Sequence, residues 1–443
     1  MTALAYVALG VLLPGFAWST SLRADVSAVE DVLLKPSTWS IYPPPPLPPR
    51  FLIVSSPAER MVSYSQIGDD YRAVRGLVKP LIKGVSSPKG LAFDRRHNRL
   101  FVADPGLRRI RAWQLYLERC FTPAEKAGLL GAAVSDPFTT DAAEGPGRCD
   151  LPWVLHASQE VTVVSDVSSE WVSLDQKGNL YYSDSERKSV NKIDAWLLLN
   201  LVHGEITPAE LKRRNAARSS KSLEKQGKEA MEVKSQLKSL AHSTEVLGNM
   251  AFGSHDDDTS ILELFQAQDS QHVATPAGVA SDGVQVYWAN QDHGLQHGSV
   301  ATGFVSGSLP SSKLATESAS TFGIAATSNM VLFSNGAGVY GVPKFGGGNA
   351  TAMNEGFVIA RGLAWDGSGT VFVADEGAST VYAMPCGVLV AQPLQPVLQM
   401  HGAFGLALVQ PTDPLVSARS AAADPTFPLW VAISAVWAAV WMS

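Results

Sequence analysis

Several short runs resembling Gly-Leu-Ala-x-Asp recur along the 443-residue chain, and the residue immediately before each run is a place where chemistry could be done. Those residues are Lys89, Glu170, Ala277, Phe322, Arg361 and Phe404. If the runs converge on one axis, so do these side chains. One carboxylate, two bases and two phenylalanines do not make a cage for calcium, which takes roughly six to eight oxygen ligands. Lys89 and Arg361 would repel such a cation. The same set suits an anionic or an aromatic group at a channel mouth, so Lys89, Glu170, Phe322, Arg361 and Phe404 are the candidate binding residues. The plainer alternative is that Glu170 neutralises the two bases.

Other candidates carry less. Asp292, His293 and His297 have metal-like spacing but stand in a Gly-rich stretch that reads as a solvated hairpin. His255-Asp-Asp-Asp258 lacks the spaced ligands and distant Glu of a calcium loop. No Gly-x-Ser-x-Gly elbow, phosphate loop or dinucleotide fingerprint occurs. The net charge of −6 offers no basic field for nucleic acid. No metal site or catalytic residue is therefore assigned.

The elements that position these residues are legible as repeats. Phe51-Leu-Ile-Val-Ser-Ser, Leu100-Phe-Val-Ala-Asp-Pro, Leu180-Tyr-Tyr-Ser-Asp-Ser, Val286-Tyr-Trp-Ala-Asn-Gln, Val331-Leu-Phe-Ser-Asn-Gly and Val371-Phe-Val-Ala-Asp-Glu are apolar runs that stop at a turn-prone residue. Each reads as a buried strand. Upstream partners are Gly90-Leu-Ala-Phe-Asp, Trp171-Val-Ser-Leu-Asp, Gly278-Val-Ala-Ser-Asp, Gly323-Ile-Ala-Ala-Thr and Gly362-Leu-Ala-Trp-Asp. Gly405-Leu-Ala-Leu-Val has no second strand after it, and the Phe51 run has no first strand before it. The two halves complete each other. The expected fold is all-β: a six-bladed β-propeller over 50–410, closed by a C-terminal strand, with a helical insertion and terminal signal segments.

These strands resemble the NHL- and YWTD-repeat propellers of the TolB-like superfamily. The resemblance implies that the residue ending each second strand, Asp104, Asp184, Asn290, Asn335 or Asp375, is structural and bonds to backbone. It is weakly specific for function. Some relatives are calcium-dependent lactonases or hydrolases with an axial metal. Calcium is thus the cofactor an enzyme reading would require, and that reading stands as the alternative to a binding module.

Long blade spacings place insertions at 117–153 and 195–271. The first holds Cys120 and Cys149, expected to form a disulfide; the third cysteine is Cys386. In the second, Thr207-Pro-Ala-Glu210 reads as a helix start, and nine Lys or Arg follow between Lys212 and Lys238. Such a basic segment meets an anionic surface or is simply solvated.

Residues 1–19 read as a signal peptide and 20–49 as a Pro-rich lead. A small-residue and polar spacer spans 411–428, and an apolar tail spans 429–443. Small residues, spacer and tail resemble a glycosylphosphatidylinositol signal with Ser420 as acceptor. A tail anchor and a helix packed on the propeller are the alternatives. Asn349-Ala-Thr351 is one glycosylation sequon. The expectation is a protein of the secretory pathway and cell surface, membrane-anchored, binding a protein or glycan and no nucleic acid.

Overall fold

The computed structural model describes residues 49–73, 76–120, 153–158, 160–207, 209–210, 213, 261–291, 298–316, 320–345 and 349–410. The expected signal peptide, most of the Pro-rich lead, Cys149, the 255–258 and 292–297 stretches, the basic segment beyond Arg213, Ser420 and the apolar tail lie outside these residues.

Within them the chain is a six-bladed β-propeller. Blade 1 contains β1 (Arg50–Ser56), β2 (Met61–Ile67) and β3 (Lys79–Ile82). Blade 2 contains β4 (Leu91–Asp94), β5 (Arg99–Asp104) and β6 (Arg109–Arg119), with β7 (Trp153–Ala157) and β8 (Val161–Ser165) both paired to β6. Blade 3 contains β9 (Val172–Leu174), β10 (Leu180–Asp184), β11 (Ser189–Ile193), a helix α1 (Ala195–His203) and β12 (Leu262–Gln266). Blade 4 runs β13 (Pro276–Ser281), β14 (Gln285–Asn290), β15 (Ser299–Phe304), β16 (Ser312–Thr316), and blade 5 β17 (Ile324–Ala326), β18 (Met330–Ser334), β19 (Val339–Pro343), β20 (Thr351–Asn354). Blade 6 runs β21 (Ala360–Trp365), β22 (Thr370–Asp375), β23 (Thr380–Pro385), β24 (Gln395–Gln399). The last strand, β25 (Leu406–Val409), returns to β1 with Phe51 opposite Val409 and Val54 opposite Leu406, and so closes the ring.

The second strands are buried at every position but the first residue of β1, β14 and β22, because each blade is covered on both faces by its neighbours, which is why they read as apolar runs and not as alternations. Six hydrophobic clusters result, one at each blade-to-blade interface. That between blades 2 and 3 also buries Leu197, Leu198 and Leu201 of α1.

Each element of the repeat has a physical task. The glycine is the point of closest approach between neighbouring first strands. A Cβ at Gly405 would lie 2.0 Å from the Lys89 carbonyl oxygen, at Gly323 2.0 Å from that of Arg361, at Gly278 2.1 Å from that of Phe322, and at Gly362 2.3 Å from that of Phe404. The aspartate ending the first strand makes the turn into the second: Asp94, Asp175, Asp282 and Asp366 accept the backbone N–H of Arg96, Lys177, Val284 and Ser368 at 2.8–3.0 Å. The residue ending the second strand ties the blade to adjacent loops, as the family resemblance implies. Asp104 accepts from Ser86 and Ser87 N–H, both at 2.9 Å, and Asp375 from Val358 and Ile359 N–H, both at 2.9 Å. Asn290 accepts from Ala274 N–H at 3.1 Å.

One regularity was not read from the sequence. The residue before that acid alternates around the ring: Ser55, Ala103, Ser183, Ala289, Ser334, Ala374. The three serine hydroxyls each donate to the carbonyl of the residue just before the next blade's repeat glycine: Ser55 to Lys89 at 2.5 Å, Ser183 to Ala277 at 2.6 Å and Ser334 to Arg361 at 2.7 Å.

The insertions differ from expectation at their edges. β6 continues to Arg119 and β7 begins at Trp153, so both ends of the 117–153 stretch are strand. β12 falls within the stretch 195–271 yet is the outer strand of blade 3, so the chain leaves that blade after β11 and returns to finish it. Glu210 N–H donates to the Thr207 hydroxyl at 3.2 Å, the cap expected there. Cys120 is disulfide-bonded, and Cys386 is a buried free thiol.

Candidate functional site

Because strands alternate in direction, the connections emerge at two ends of the ring. First strands begin at one end, the channel mouth, together with the turns between second and third strands. At the far end lie the turns joining first to second strands and third to fourth. The glycine contacts fix the backbone at Lys89, Glu170, Phe322, Arg361 and Phe404, and with it the bases of those side chains at the mouth.

The structure brings the five predicted mouth residues together. Lys89 Nζ donates to Glu170 Oε1 at 2.7 Å, and Gln291 Nε2 donates to Glu170 Oε2 at 3.1 Å. The Arg361 guanidinium carbon lies 4.1 Å from the centroid of the Phe322 ring, and Arg361 Nε donates to Glu376 Oε2 at 2.6 Å. Phe404 stands between the two cations: Lys89 Nζ is 5.5 Å and Arg361 Cζ 5.6 Å from its ring centroid. Trp171 tilts against Phe404 with centroids 6.1 Å apart. Cations at such distances over aromatic faces are stabilised by the ring quadrupole. The side chains of Lys89, Glu170 and Arg361 are about one-fifth exposed, at 23%, 21% and 18%. Ala277 lies inside β13 and adds only its carbonyl.

Three mouth residues were missed in the sequence. Gln291 and Glu376 directly follow Asn290 and Asp375, so they open the turns that project at this end; that offset was the available signal. Trp171 stands where other copies have glycine, and its buried ring packs beside Phe404.

A cation at this axis would have to displace the Lys89 ammonium from Glu170, so the donor set does not fit calcium. Far from the mouth, an open cavity of 430 Å³ lies between the first turns of blades 2 and 3, lined by Phe93, Arg95, Arg96, Leu174, Asp175 and Gln176. Both carboxylates that line it are already engaged, Asp175 by Asn179 at 2.8 Å and the Tyr181 hydroxyl at 3.0 Å, and Asp94 by His97 Nδ1 at 2.7 Å. Asn349, the sequon residue, is exposed near the turn after β19.

Neither a protein-family model nor a curated protein matches the chain. Solved structures similar in fold include a nidogen/laminin complex, at 11% identity over 81% of this chain and 98% of that one, with a TM-score of 0.48. The periplasmic gluconolactonase of Pseudomonas aeruginosa matches at 12% identity over 82% and 99%, with a TM-score of 0.43. Virginiamycin B lyase of Staphylococcus aureus matches at 10% identity over 83% and 93%, with a TM-score of 0.40. At such identities these likenesses say nothing about activity.

Proposed function

We propose that the chain is a binding module of the cell surface: a rigid ring whose mouth takes an acidic group of a protein or glycan partner, held to the membrane through its C-terminal segment. The posture of Arg361 carries this reading. Phe322 supports its guanidinium face and Glu376 takes Nε, while its Nη atoms make no hydrogen bond among the described residues. A guanidinium fixed in this way is suited to a carboxylate or sulfate, which it meets with two parallel donors. Lys89 supplies a second cation across the Phe404 ring. Secretion and lipid attachment at Ser420 are supported by the composition of residues 1–19 and 417–442.

The test titrates the full chain with heparin-derived oligosaccharides and acidic peptides. Arg361→Gln should weaken binding at least tenfold with the melting temperature unchanged. Tight, saturable calcium binding with lactone hydrolysis, both abolished by Glu170→Gln, would replace the binding module with an enzyme.

A further inference from the structure

Large exposed apolar side chains are unevenly placed between the two ends of the ring. Trp196, Val284, Phe304, Leu309, Phe345 and Val388 lie in or beside far-end connections, whereas Leu107 and Val358 lie at the mouth end. Phe345 is 77% exposed and Val284 62%. Their bases are rigid. Lys344 Nζ donates to Asp282 Oδ2 at 2.8 Å, clamping the turn after β19 to the β13–β14 turn, with Phe345 and Val284 beside the clamp. Phe304 pairs across the sheet with Gln285, next to Val284. Val284, Phe304 and Phe345 thus group about one clamp, and exposed apolar side chains grouped in this way mark a contact surface.

The chain itself indicates what that surface meets. β25 ends at Val409, opposite Phe51, so both ends of the ring's chain emerge at the far end. Ten residues lead from Gln410 to Ser420 and nineteen to Leu429, where the apolar tail begins. At no more than about 3.5 Å per residue, an attachment at Ser420 stands within about 35 Å of the far end, and a tail entering at Leu429 within about 65 Å.

We infer that the far end is a bilayer-docking face, with Val284, Phe304, Leu309 and Phe345 entering the lipid interface while the C-terminal segment holds the ring there. This rests on that segment being a membrane anchor. The one clamp charge at these tips, Lys344, is matched by Asp282, so zwitterionic lipid suffices and apolar area supplies the attraction. Asn349 stands near the same turn as Phe345, and docking requires that it carry no glycan.

The test reconstitutes the full chain with phosphatidylcholine vesicles carrying brominated acyl chains. A single probe is attached through Val284→Cys or, at the mouth end, Val358→Cys. Cys386 is 2% exposed, and burial, and then Asp366, push its thiol up to about 11, so the introduced cysteine is expected to label ahead of it at neutral pH. Quenching of the Val284 probe should exceed that at Val358 several-fold, and Phe345→Asp should lower it at least twofold with flotation unchanged. Equal quenching at both positions, or none in a chain that floats, overturns the face and leaves the anchor standing. A chain that does not float removes anchor and docking together. Burial of the Val284 probe by an added protein and not by lipid, or a glycan mapped to Asn349 on the membrane-bound protein, also overturns it.

Discussion

The channel mouth and the far end are built from the same repeat under opposite constraints. At the mouth, first strands meet backbone to backbone, so the residue before each glycine holds a fixed place and must fit its neighbours. Phe404 is 6% exposed there, and two ion pairs close at 2.7 and 2.6 Å. At the far end a turn needs only to reverse the chain, which one aspartate accomplishes. Length and composition are then free to vary: three residues join β13 to β14, while 58 separate α1 from β12. Where approach is close, sequence is constrained by packing; where it is not, insertions and apolar tips accumulate.

The largest test of this contrast is Gly323→Val. It places a Cβ 2.0 Å from a backbone oxygen that no rotamer change can move. Loss of roughly 4–5 kcal/mol, or no folded protein, is expected from urea unfolding. Gly369→Ala meets nothing within 4 Å and should change stability by less than about 0.5 kcal/mol. Next comes Phe404→Ala, expected to cost about 3–5 kcal/mol, against less than about 0.5 kcal/mol for Phe345→Ala. A loss above about 2 kcal/mol at Phe345 would show that the far-end tips are core and not surface.

Far-end turns also set an acid limit. Burial raises the Asp282 carboxyl, but hydrogen bonds from Gln285 N–H, the Lys344 ammonium, Val284 N–H and the Tyr287 hydroxyl outweigh it, and the net pKa falls below the ordinary value. Asp366 is likewise raised by burial and lowered further by Ser368, Thr370 N–H and the Tyr71 hydroxyl. A carboxyl whose folded pKa is depressed stabilises fully above its unfolded pKa, about 3.9, and that contribution is lost as pH falls through the folded value. Stability should therefore drop below about pH 4. Asp282→Asn with Asp366→Asn should flatten that limb between about pH 4 and pH 2. An unchanged acid limb would remove these turns from the account.

Six blades and their closure were legible because glycine, aspartate and the second-strand acid each do one job in nearly every blade. Blade 1 departs quietly: its register sets Ser56 where others have the acid, and the Ser56 hydroxyl donates to His401 O and accepts from Glu59 N–H instead. The placement of β12 was not legible. Leu262-Glu-Leu-Phe-Gln266 carries no repeat signature, and an insertion separates it from β11, so only the register of Val190 opposite Phe265 assigns it to blade 3. At the mouth, position in the repeat found the five residues. Glu376 and Gln291 escaped because a turn residue's partner depends on where its side chain points, and spacing does not encode that. Trp171 escaped because a missing glycine reads as a weakened repeat, not as a ring packed against Phe404.

The smallest effect concerns whether the mouth ion pairs are there to hold the ring. Lys89 and Glu170 are each about one-fifth exposed, so solvent screens part of their attraction, and desolvation offsets much of the rest. A double-mutant cycle with Lys89→Met and Glu170→Gln should give a coupling of about 1 kcal/mol or less. The glycine contacts and aromatic rings already fix the ring, so a weak pair leaves Lys89 able to turn from Glu170 toward an incoming carboxylate or sulfate at little cost. A coupling above about 3 kcal/mol would mark the pair as a structural bolt. Lys89 would then be unavailable to a ligand, and Arg361 alone would have to hold it.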